Sequence, residues 1–358
     1  GADRLGERGE GGQGGRQQGR EQSHGLTFHA RIMDGPMRAG KQRCVDGFPG
    51  ARYVSGMRTL LFLLLLLIGL PARSAADPVP RKPLVFAHRG ASGERPEHTL
   101  AAYRLALEQG ADYVEPDLRL TRDGVFIALH DTTLDRTTDV AARPEWVVRA
   151  RLDGKGVPHW YPGDFTLTEL KTLRTRQGTK GRSTAHDGQE SIPSLAEVVD
   201  LVRAHNRASG RAAGLVPELR GHTVAFVEFV RAHDLEGPGG LPLYLQSFEL
   251  ETLKQAAGQL RSPCAWLLTR RPQPDELAAI RGQIDALALN RGLVLAADAA
   301  DWIRSVQAQG FAVQAWTFAD DAFQRDRYPD AEAELAAALA NGLDAFFTDF
   351  PASGVRVR

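Results

Sequence analysis

The strongest constraint on the fold is a regular alternation of short apolar runs and helical stretches between residues 84 and 348. Short β-branched or apolar runs predict strands, and the longer Ala- and Leu-rich stretches between them predict helices. About eight strands with intervening helices over some 280 residues predict an α/β fold, a (β/α)8 barrel of the TIM type. The predicted strands are 84–88, 113–120, 125–130, 214–219, 243–247, 264–268, 286–289, 312–317 and 345–348.

The helix ends carry recognisable signals. Ser194 and Asp275 are predicted N-caps, and Gly110, Gly210 and Gly310 are predicted C-cap glycines. An open doubly wound sheet is the competing architecture, but no G-x-G-x-x-G follows the first predicted strand. The predicted helices are 99–109, 194–209, 223–233, 249–258, 275–284, 297–309 and 330–341.

Residues 141–190 interrupt this alternation. The segment is polar and glycine-containing, with aromatic residues at Trp146, Trp160 and Tyr161. A connection of this length is unusual inside a compact domain and is often functional. We interpret it as an insertion after the third predicted strand, over one mouth of the barrel, with a helix at 167–173.

The first 76 residues are expected to lie outside the barrel. Residues 1–56 hold 14 of the 37 glycines and show no apolar period, as expected for a non-native or disordered N-terminal extension. Met57 begins a basic start, an apolar run at 60–70 and a small-residue site ending at Ala76. This order is typical of a secretory signal peptide at 57–76.

The apolar run is too short for a stable membrane anchor. Its 11 residues would rise only about 16 Å as a helix, against a hydrocarbon core of about 30 Å. We therefore expect translation to start at Met57, the signal to be cleaved, and residues 77–358 to form the barrel in the periplasm or outside the cell.

Charge and cysteine content exclude several classes of protein. The whole chain has 44 basic and 44 acidic residues, while residues 77–358 have 33 against 38, a net charge of −5. This balance gives no support for a nucleic-acid partner. Two cysteines, Cys44 and Cys264, exclude a disulfide scaffold and a structural cysteine–zinc site. The oligomeric state is left open.

Polar residues collect where the predicted strands end. In a (β/α)8 barrel, side chains at the carboxyl ends of the strands face the active site. The candidates at these positions are His88, Arg89, Glu115, Asp117, His130, Glu218, Arg220, Gln246 and Trp316.

The second and third predicted strands form a hairpin. The Asp-Gly dipeptide at 123–124 predicts a two-residue turn, which places Asp117 opposite His130 and Leu118 opposite Leu129. This pairing adds an antiparallel step to the barrel. One face of the predicted hairpin is apolar, and the other carries Glu115, Asp117, Arg119 and His130.

The acidic candidates suit a metal ion. Glu115, Asp117 and Glu218 at neighbouring strand ends offer the oxygen ligands that one Ca²⁺ or Mg²⁺ prefers, whereas zinc favours a His- or Cys-rich set. The alternative is that these acids pair with arginines, namely Arg89, Arg119 and Arg220.

Two histidines suit acid–base work. His88 and His130 can exchange protons near neutral pH, and the alternative for each is a hydrogen-bonded core histidine. Arg89 offers a bidentate fork for phosphate. Together with a metal ion, these groups fit phosphoryl transfer, in which charge is neutralised and protons move. Nucleophile roles are less well supported for Ser92, Ser247 and Cys264.

Several motifs, in order along most of the chain, resemble the glycerophosphodiester phosphodiesterases. The opening stretch 87–100 (AHRGASGERPEHTL) carries the resemblance most strongly. The insertion, with Phe165-Thr166-Leu167, is similar to that of the periplasmic, signal-bearing branch. The other matching segments are 114–118 (VEPDL), 130–136 (HDTTLDR), 216–219 (VPEL), 245–248 (LQSF), 316–317 (WT) and 347–351 (FTDFP).

The resemblance implies a barrel that hydrolyses glycerophosphodiesters, such as glycerophosphocholine and glycerophosphoethanolamine, to sn-glycerol 3-phosphate and an alcohol. It implies a divalent cation on the three carboxylates, with His88 and His130 as the acid–base pair and Arg89 on the phosphate. A glycerol hydroxyl then attacks phosphorus, and water opens the resulting cyclic phosphate. Arg220 stands where the family usually has Lys, and Trp316 either stacks on the glycerol or packs at the rim.

Two other functions compete with this one. A lysophospholipase D or phospholipase-C-like enzyme on the same barrel needs an apolar rim for an acyl chain, to which the insertion contributes few residues. A non-catalytic binding protein for glycerophosphodiesters has no need of an acid–base pair, so the two histidines and three carboxylates argue against it.

Overall fold

The computed structural model describes residues 82–358. The extension predicted at 1–56, the signal peptide predicted at 57–76 and the start at Met57 lie outside the described residues. Within 82–358, no helix combines the length and the apolar character needed to cross a membrane.

Eight parallel strands form a ring. The sheet has the order β7-β2-β1-β12-β11-β10-β9-β8, and its two ends meet through bridges from Leu215 to Leu243 and from Glu218 to Gln246. The predicted (β/α)8 barrel is thereby confirmed. The strands are β1 Leu84–His88, β2 Tyr113–Glu115, β3 Leu118–Leu120, β4 Phe126–Ala128, β5 Arg151–Leu152, β6 Pro158–His159, β7 Gly214–Leu215, β8 Leu245–Ser247, β9 Cys264–Leu268, β10 Ala286–Asn290, β11 Ala312–Phe318 and β12 Ala345–Thr348.

Helices alternate with the barrel strands, and their ends follow local sequence signals. Ser194 caps α3 in a capping box with Glu197, and Gly210 ends it at φ 71°, both as predicted. Asp275 is not an N-cap, because Pro274 already occupies the first helical position after Gln273. The helices are α1 Leu100–Glu108, α2 Leu167–Leu170, α3 Leu195–Ser209, α4 Thr223–Ala232, α5 Leu250–Ala257, α6 Pro274–Ile280, α7 Arg291–Val294, α8 Ala299–Gln307, α9 Ala331–Ala340 and α10 Pro351–Val357.

Alternation along the strands separates two apolar layers. Val85 and Ala87 belong to the large cluster between the sheet and the helices, whereas Phe86 belongs to a smaller cluster inside the barrel. Phe86 packs there against Phe347 and Tyr113, with ring centroids 5.0 and 5.1 Å apart. The interior is therefore filled below the carboxyl ends of the strands, and a polar site can open only at those ends.

The hairpin of β3 and β4 lies outside the barrel, and its register differs by one residue from the prediction. Leu118 pairs with Ala128 rather than Leu129, so the predicted pairing of Asp117 with His130 is wrong. The Thr121 amide donates to the Val125 carbonyl at 3.0 Å, which closes a three-residue loop with Gly124 at φ 76°. A left-handed glycine at this position adds a bulge residue to the turn.

The insertion has an apolar cluster of its own. Trp160, Phe165 and Leu170 are buried there with Ile127 of the hairpin, and Trp146 packs at the edge. The helix inside the insertion, α2, is shorter than the predicted 167–173. Because the third predicted strand is part of the hairpin, the insertion lies between the second and third strands of the barrel, β2 and β7.

Candidate active site

The side chains of the site continue the inward-facing rows of the barrel. His88 lies two residues beyond the inward Phe86, and Glu115 lies two beyond Tyr113. His88 and Glu115 are also register partners on β1 and β2. Glu218 follows the inward Val216 in the same way, and Gln246 follows Tyr244. Period two therefore explains why polar residues far apart in the chain meet at one end of the barrel.

Three of these residues form a tight acidic cluster. Glu115, Asp117 and Glu218 are buried, and each offers a carboxylate oxygen within 4.8 Å of the other two. Burial and the neighbouring Asp117 raise the pKa of Glu218 to about 9 and that of Glu115 well above its usual range. Three buried carboxylates repel one another when ionised, so they hold protons tightly, and a bound cation could neutralise them in place of those protons.

Arginines also contact this cluster, as the alternative interpretation expected. An Arg220 nitrogen lies 2.9 Å from Asp117 and 2.8 Å from Glu218, and Arg89 Nε lies 3.4 Å from Asp117. Arg119 instead donates to the carbonyl of His130 at 2.7 Å. Burial opposes the charge on Asp117, but His98 and Arg89 hold its pKa well below the usual range. Arg89 and Arg220 thus form ion pairs with the cluster, and the three carboxylates still lie within 4.8 Å of one another.

Gln246 adds an oxygen whose hydrogen-bonding capacity is unused. Its Nε2 donates to Glu115 Oε1 at 3.0 Å, while its buried Oε1 has no hydrogen-bond partner among residues 82–358. Buried polar atoms are rarely left unsatisfied. Three carboxylates and an uncommitted amide oxygen form an all-oxygen set of the type that Ca²⁺ and Mg²⁺ prefer, so the site fits a hard divalent cation.

Each predicted acid–base histidine is held by an aspartate, which an arginine holds in turn. His88 Nδ1 lies 2.6 Å from Asp349, which accepts from Arg182 at 2.6 Å. Asp131 has the same arrangement around His130. It lies 2.7 Å from His130 Nδ1 and accepts from Arg136 Nε at 2.6 Å.

These contacts fix the proton on one ring nitrogen. The hydrogen bond from His130, helped by Arg136, outweighs burial and lowers the pKa of Asp131. Burial opposes ionisation of Asp349, but His88 and Arg182 outweigh it and lower that pKa too. An ionised carboxylate only accepts hydrogen bonds, so Nδ1 carries a proton in both histidines. Nε2 of each ring is left for other chemistry.

Arg89 lies beside the acidic cluster, and its amide and one terminal guanidinium nitrogen are hydrogen-bonded to glutamates. Its amide donates to Glu115 at 2.9 Å from a left-handed backbone at φ 58°, and its guanidinium donates to Glu97 at 3.0 Å. Glu97 also accepts hydrogen bonds from both terminal nitrogens of Arg136, at 2.8 and 2.9 Å. A chain of charges thus joins Arg89 through Glu97 and Arg136 to the aspartate of His130.

Trp316 lies on the other side of the site. Its indole nitrogen donates to the Ala288 carbonyl at 2.9 Å, and Phe248 packs edge-on at 5.5 Å. Trp316 lines an open depression of about 310 Å³, and Asp349, the partner of His88, lines it as well. The depression is lined by Arg182, Asn290, Arg291, Trp316, Thr317, Ala319, Ala322 and Asp349.

The three weaker nucleophile candidates have structural contacts. Ser92 Oγ lies within hydrogen-bond distance of the His88 carbonyl and Asp349, and Ser247 donates to the Leu219 carbonyl at 2.7 Å. Cys264 is buried at the start of β9. Within residues 82–358, no histidine ring nitrogen forms a hydrogen bond with Ser92 or Ser247.

Several site residues were not predicted from the sequence. Asp349 and Asp131 could have been found, because the first follows a strand end and the second follows His130 directly. Glu97 and His98 lie in the loop after β1, where no periodicity places a side chain. Arg182 and Arg136 are two of many arginines, and only the fold brings them to the aspartates.

A closed parallel barrel with an acidic cluster and two aspartate-held histidines defines a class of protein: a TIM-barrel protein with a site suited to acid–base chemistry. Residues 88–353 match the glycerophosphoryl diester phosphodiesterase family, and the chain belongs to that family.

Individual relatives agree with this assignment. A glycerophosphodiester phosphodiesterase of Arabidopsis thaliana is 31% identical over 58% of this chain and 65% of its own length. One from Haemophilus influenzae is 30% identical over 49% of this chain and 52% of its own length. The chain therefore spans about half to two thirds of these curated relatives. Among solved structures, an Oleispira antarctica phosphodiesterase in complex with the product sn-glycerol-3-phosphate aligns with a TM-score of 0.59 at 25% identity. That alignment covers 77% of this chain and 96% of the other.

Proposed function

We propose that this protein is a phosphoric diester hydrolase that converts glycerophosphodiesters, such as glycerophosphocholine and glycerophosphoethanolamine, to sn-glycerol 3-phosphate and an alcohol. The observation that carries the proposal is the pairing of His88 on β1 with Glu115 on β2, which sets an acid–base group beside the acidic cluster. Family membership and the product bound to the Oleispira antarctica relative support it.

The two histidines exchange protons with the reacting oxygens. In the first step, Nε2 of one histidine takes the proton of a glycerol hydroxyl, whose oxygen attacks phosphorus. The bond from phosphorus to the alcohol oxygen breaks, and Nε2–H of the other histidine protonates that oxygen. In the second step, water gives its proton to the ring that has just lost one, its oxygen attacks the cyclic phosphate, and the first ring protonates the glycerol oxygen.

The remaining residues stabilise charge. Glu115, Asp117 and Glu218, with the free Oε1 of Gln246, would hold a divalent cation, which would neutralise charge on the phosphate oxygens. Arg89 and Arg220 flank the same carboxylates and keep positive charge at the edge of the cluster. Because the surrounding chain is acidic, this local charge has to bind the phosphodiester.

The test is hydrolysis of glycerophosphocholine by the full chain, with and without EDTA, followed by the release of sn-glycerol 3-phosphate. We expect the wild type to release sn-glycerol 3-phosphate, to lose this activity in EDTA and to recover it when Ca²⁺ or Mg²⁺ is added. A His130→Ala variant should lose activity while binding the cation as tightly as the wild type. Absence of product with every divalent cation would overturn the proposed reaction, and activity resistant to EDTA would overturn the role of the cation.

We also propose that the protein acts in the periplasm or outside the cell. The support is the sequence pattern at 57–76, a basic start followed by an apolar run and a small-residue site. Expression of residues 57–358 in a Gram-negative host, with mass spectrometry of the fractions, tests this. We expect a mature N-terminus at residue 77 outside the cytoplasm, and an uncleaved cytoplasmic chain would contradict it.

A further inference from the structure

The end of the insertion returns to the barrel at Arg182. Its side chain is only 8% exposed, although it belongs to a long surface connection. Besides its bond to Asp349, the guanidinium donates to the Ser92 carbonyl at 3.2 Å and to both oxygens of Asp321 at 2.7 and 3.1 Å. One side chain thereby joins the insertion to the loops that follow β1, β11 and β12.

Asp349, the central acceptor, uses both of its oxygens. Oδ2 accepts from Arg182 at 2.6 Å, and Oδ1 accepts from His88 at 2.6 Å and lies 3.0 Å from Ser92 Oγ. The Phe350 ring beside it packs against the Arg182 guanidinium at 5.4 Å. The carboxylate is therefore held from two sides, and its orientation depends on the arginine fork.

The ionised Asp349 carboxylate determines which ring nitrogen of His88 carries the proton. Without a neighbouring positive charge, a carboxylate as buried as Asp349 tends to take up a proton or turn towards water. As a protonated acid it could donate to the ring, and the proton on Nδ1 would no longer be fixed. At metal-bound histidines, removal of the partner that orients the ring commonly costs about 10–100-fold in affinity or activity, and we expect an effect of the same order at His88.

We propose that Arg182 is a positioning residue for His88, so that the insertion completes the active site of the barrel. This inference rests on the proposed phosphodiesterase function for its kinetic consequence, but its structural consequence does not. Arg182 touches neither the acidic cluster nor a ring nitrogen, and it acts through Asp349 alone. The insertion is on this view a part of the catalytic apparatus.

The test compares Arg182→Gln with Arg182→Lys and with a control, Arg151→Gln, in the full chain. Arg151 is also an arginine of the insertion paired with an aspartate, Asp164, but it is 62% exposed. The readouts are kcat and KM for glycerophosphocholine and long-range ¹H–¹⁵N spectra of the histidine rings. The His88 signals are assigned from their loss in His88→Asn.

For Arg182→Gln we expect kcat to fall about 10–100-fold, with KM changed less than about threefold. The His88 ring should change from one tautomer, with the proton on Nδ1, to a mixture. Arg182→Lys keeps the charge and should recover most of kcat and of the tautomer preference. Arg151→Gln should match the wild type in both readouts.

A wild-type His88 tautomer in Arg182→Gln would overturn the inference, even if the melting temperature fell, because Arg182 would then be only a structural tie. If the wild type hydrolyses no diester, the proposed function fails, while the ring spectra still decide the role of Arg182. If Arg182→Gln does not fold, Asp321→Asn loosens the same fork at a 40% exposed position. An unchanged His88 tautomer in that variant would also overturn the inference.

Discussion

His98 Nε2 lies 3.0 Å from Asp117 Oδ2, which places a third histidine directly behind the acidic cluster. Burial lowers the pKa of His98, so the ring is neutral, and the ionised Asp117 requires the proton on Nε2. The Tyr103 hydroxyl completes the chain, because it lies 2.7 Å from Nδ1 and donates to it. Two buried side chains from the first βα unit thus orient Asp117 together with Arg220 and Arg89.

The contact of His98 with Asp117 predicts that His98 tunes cation binding. His98→Ala removes the donor that orients the carboxylate, and affinity for Mn²⁺, measured by EPR titration, should fall about 10–100-fold. His98→Asn is the matched control. Its amide can still donate, and Asn tolerates the left-handed backbone at φ 60°. Equal affinities for wild type and His98→Ala would show that Asp117 needs no such support.

The acidic cluster predicts an unusual dependence of stability on pH when no cation is bound. A Glu218 pKa raised to about 9 means that the folded state holds this proton more tightly than the unfolded chain, whose pKa is about 4.5. The stabilisation is complete below about 4.5 and is lost as pH rises towards about 9. In EDTA the melting temperature should therefore fall across this range.

A divalent cation should remove this trend, since it neutralises the carboxylates in place of protons. Glu218→Gln should make the melting temperature in EDTA less dependent on pH. A distant acid, Glu251, is 76% exposed and supplies the control Glu251→Gln, which should behave as the wild type. A melting temperature in EDTA that rises between pH 5 and 8 would contradict the charge repulsion inferred for the cluster.

The ion pairs of Glu97 predict a loss of folding stability at low pH. Burial favours its neutral form, but Arg89 and Arg136 outweigh burial and lower the pKa of Glu97 to about 2. The stabilisation is present above about 4.5 and is lost as pH falls towards about 2. Glu97→Gln should destabilise the protein at pH 7 by about 3 kcal/mol, since it leaves buried guanidinium charge unpaired.

Urea denaturation at pH 7 and pH 3 measures the effect of Glu97→Gln. The difference between variant and wild type should shrink at the lower pH. Glu169→Gln, which breaks an arginine pair within the insertion, is the control and should cost less because Glu169 is 22% exposed. A loss that is the same at both pH values would mean that the charge of Glu97 is not what stabilises the network.

The sequence was sufficient for the barrel and for much of the site because both depend on short-range periodicity. His88 lies two residues after the inward Phe86, and Glu218 lies two residues after the inward Val216. The two-residue period of strands therefore predicts that both side chains face the same mouth of the barrel. It also predicted the end of α3 at Gly210, where a left-handed residue is needed.

The contacts that hold the histidines could not be predicted in this way. Arg182 reaches Asp349 across 167 residues, and the intervening insertion has no periodicity that fixes the direction of its side chains. Glu97 and His98 lie in a loop whose path depends on positive φ values at Arg89, Gly90 and His98. Long-range pairs of charges follow from the tertiary fold, and many arginines in the chain are equivalent until that fold is known.

The register of the β3–β4 hairpin gives the last prediction. The sequence suggested a two-residue turn, but the bulge residue Gly124 at φ 76° makes a three-residue loop and moves each pairing by one. A Cβ at Gly124 would meet open space, with no atom within 4 Å, so substitution here changes only backbone strain. Gly124→Ala should therefore lower the free energy of unfolding by about 1 kcal/mol, and Gly124→Asn by distinctly less, because Asn tolerates the left-handed region. Urea denaturation of the two variants measures the difference. Equal losses for Ala and Asn would mean that a steric contact, and not the left-handed backbone, sets the cost and the register at this turn.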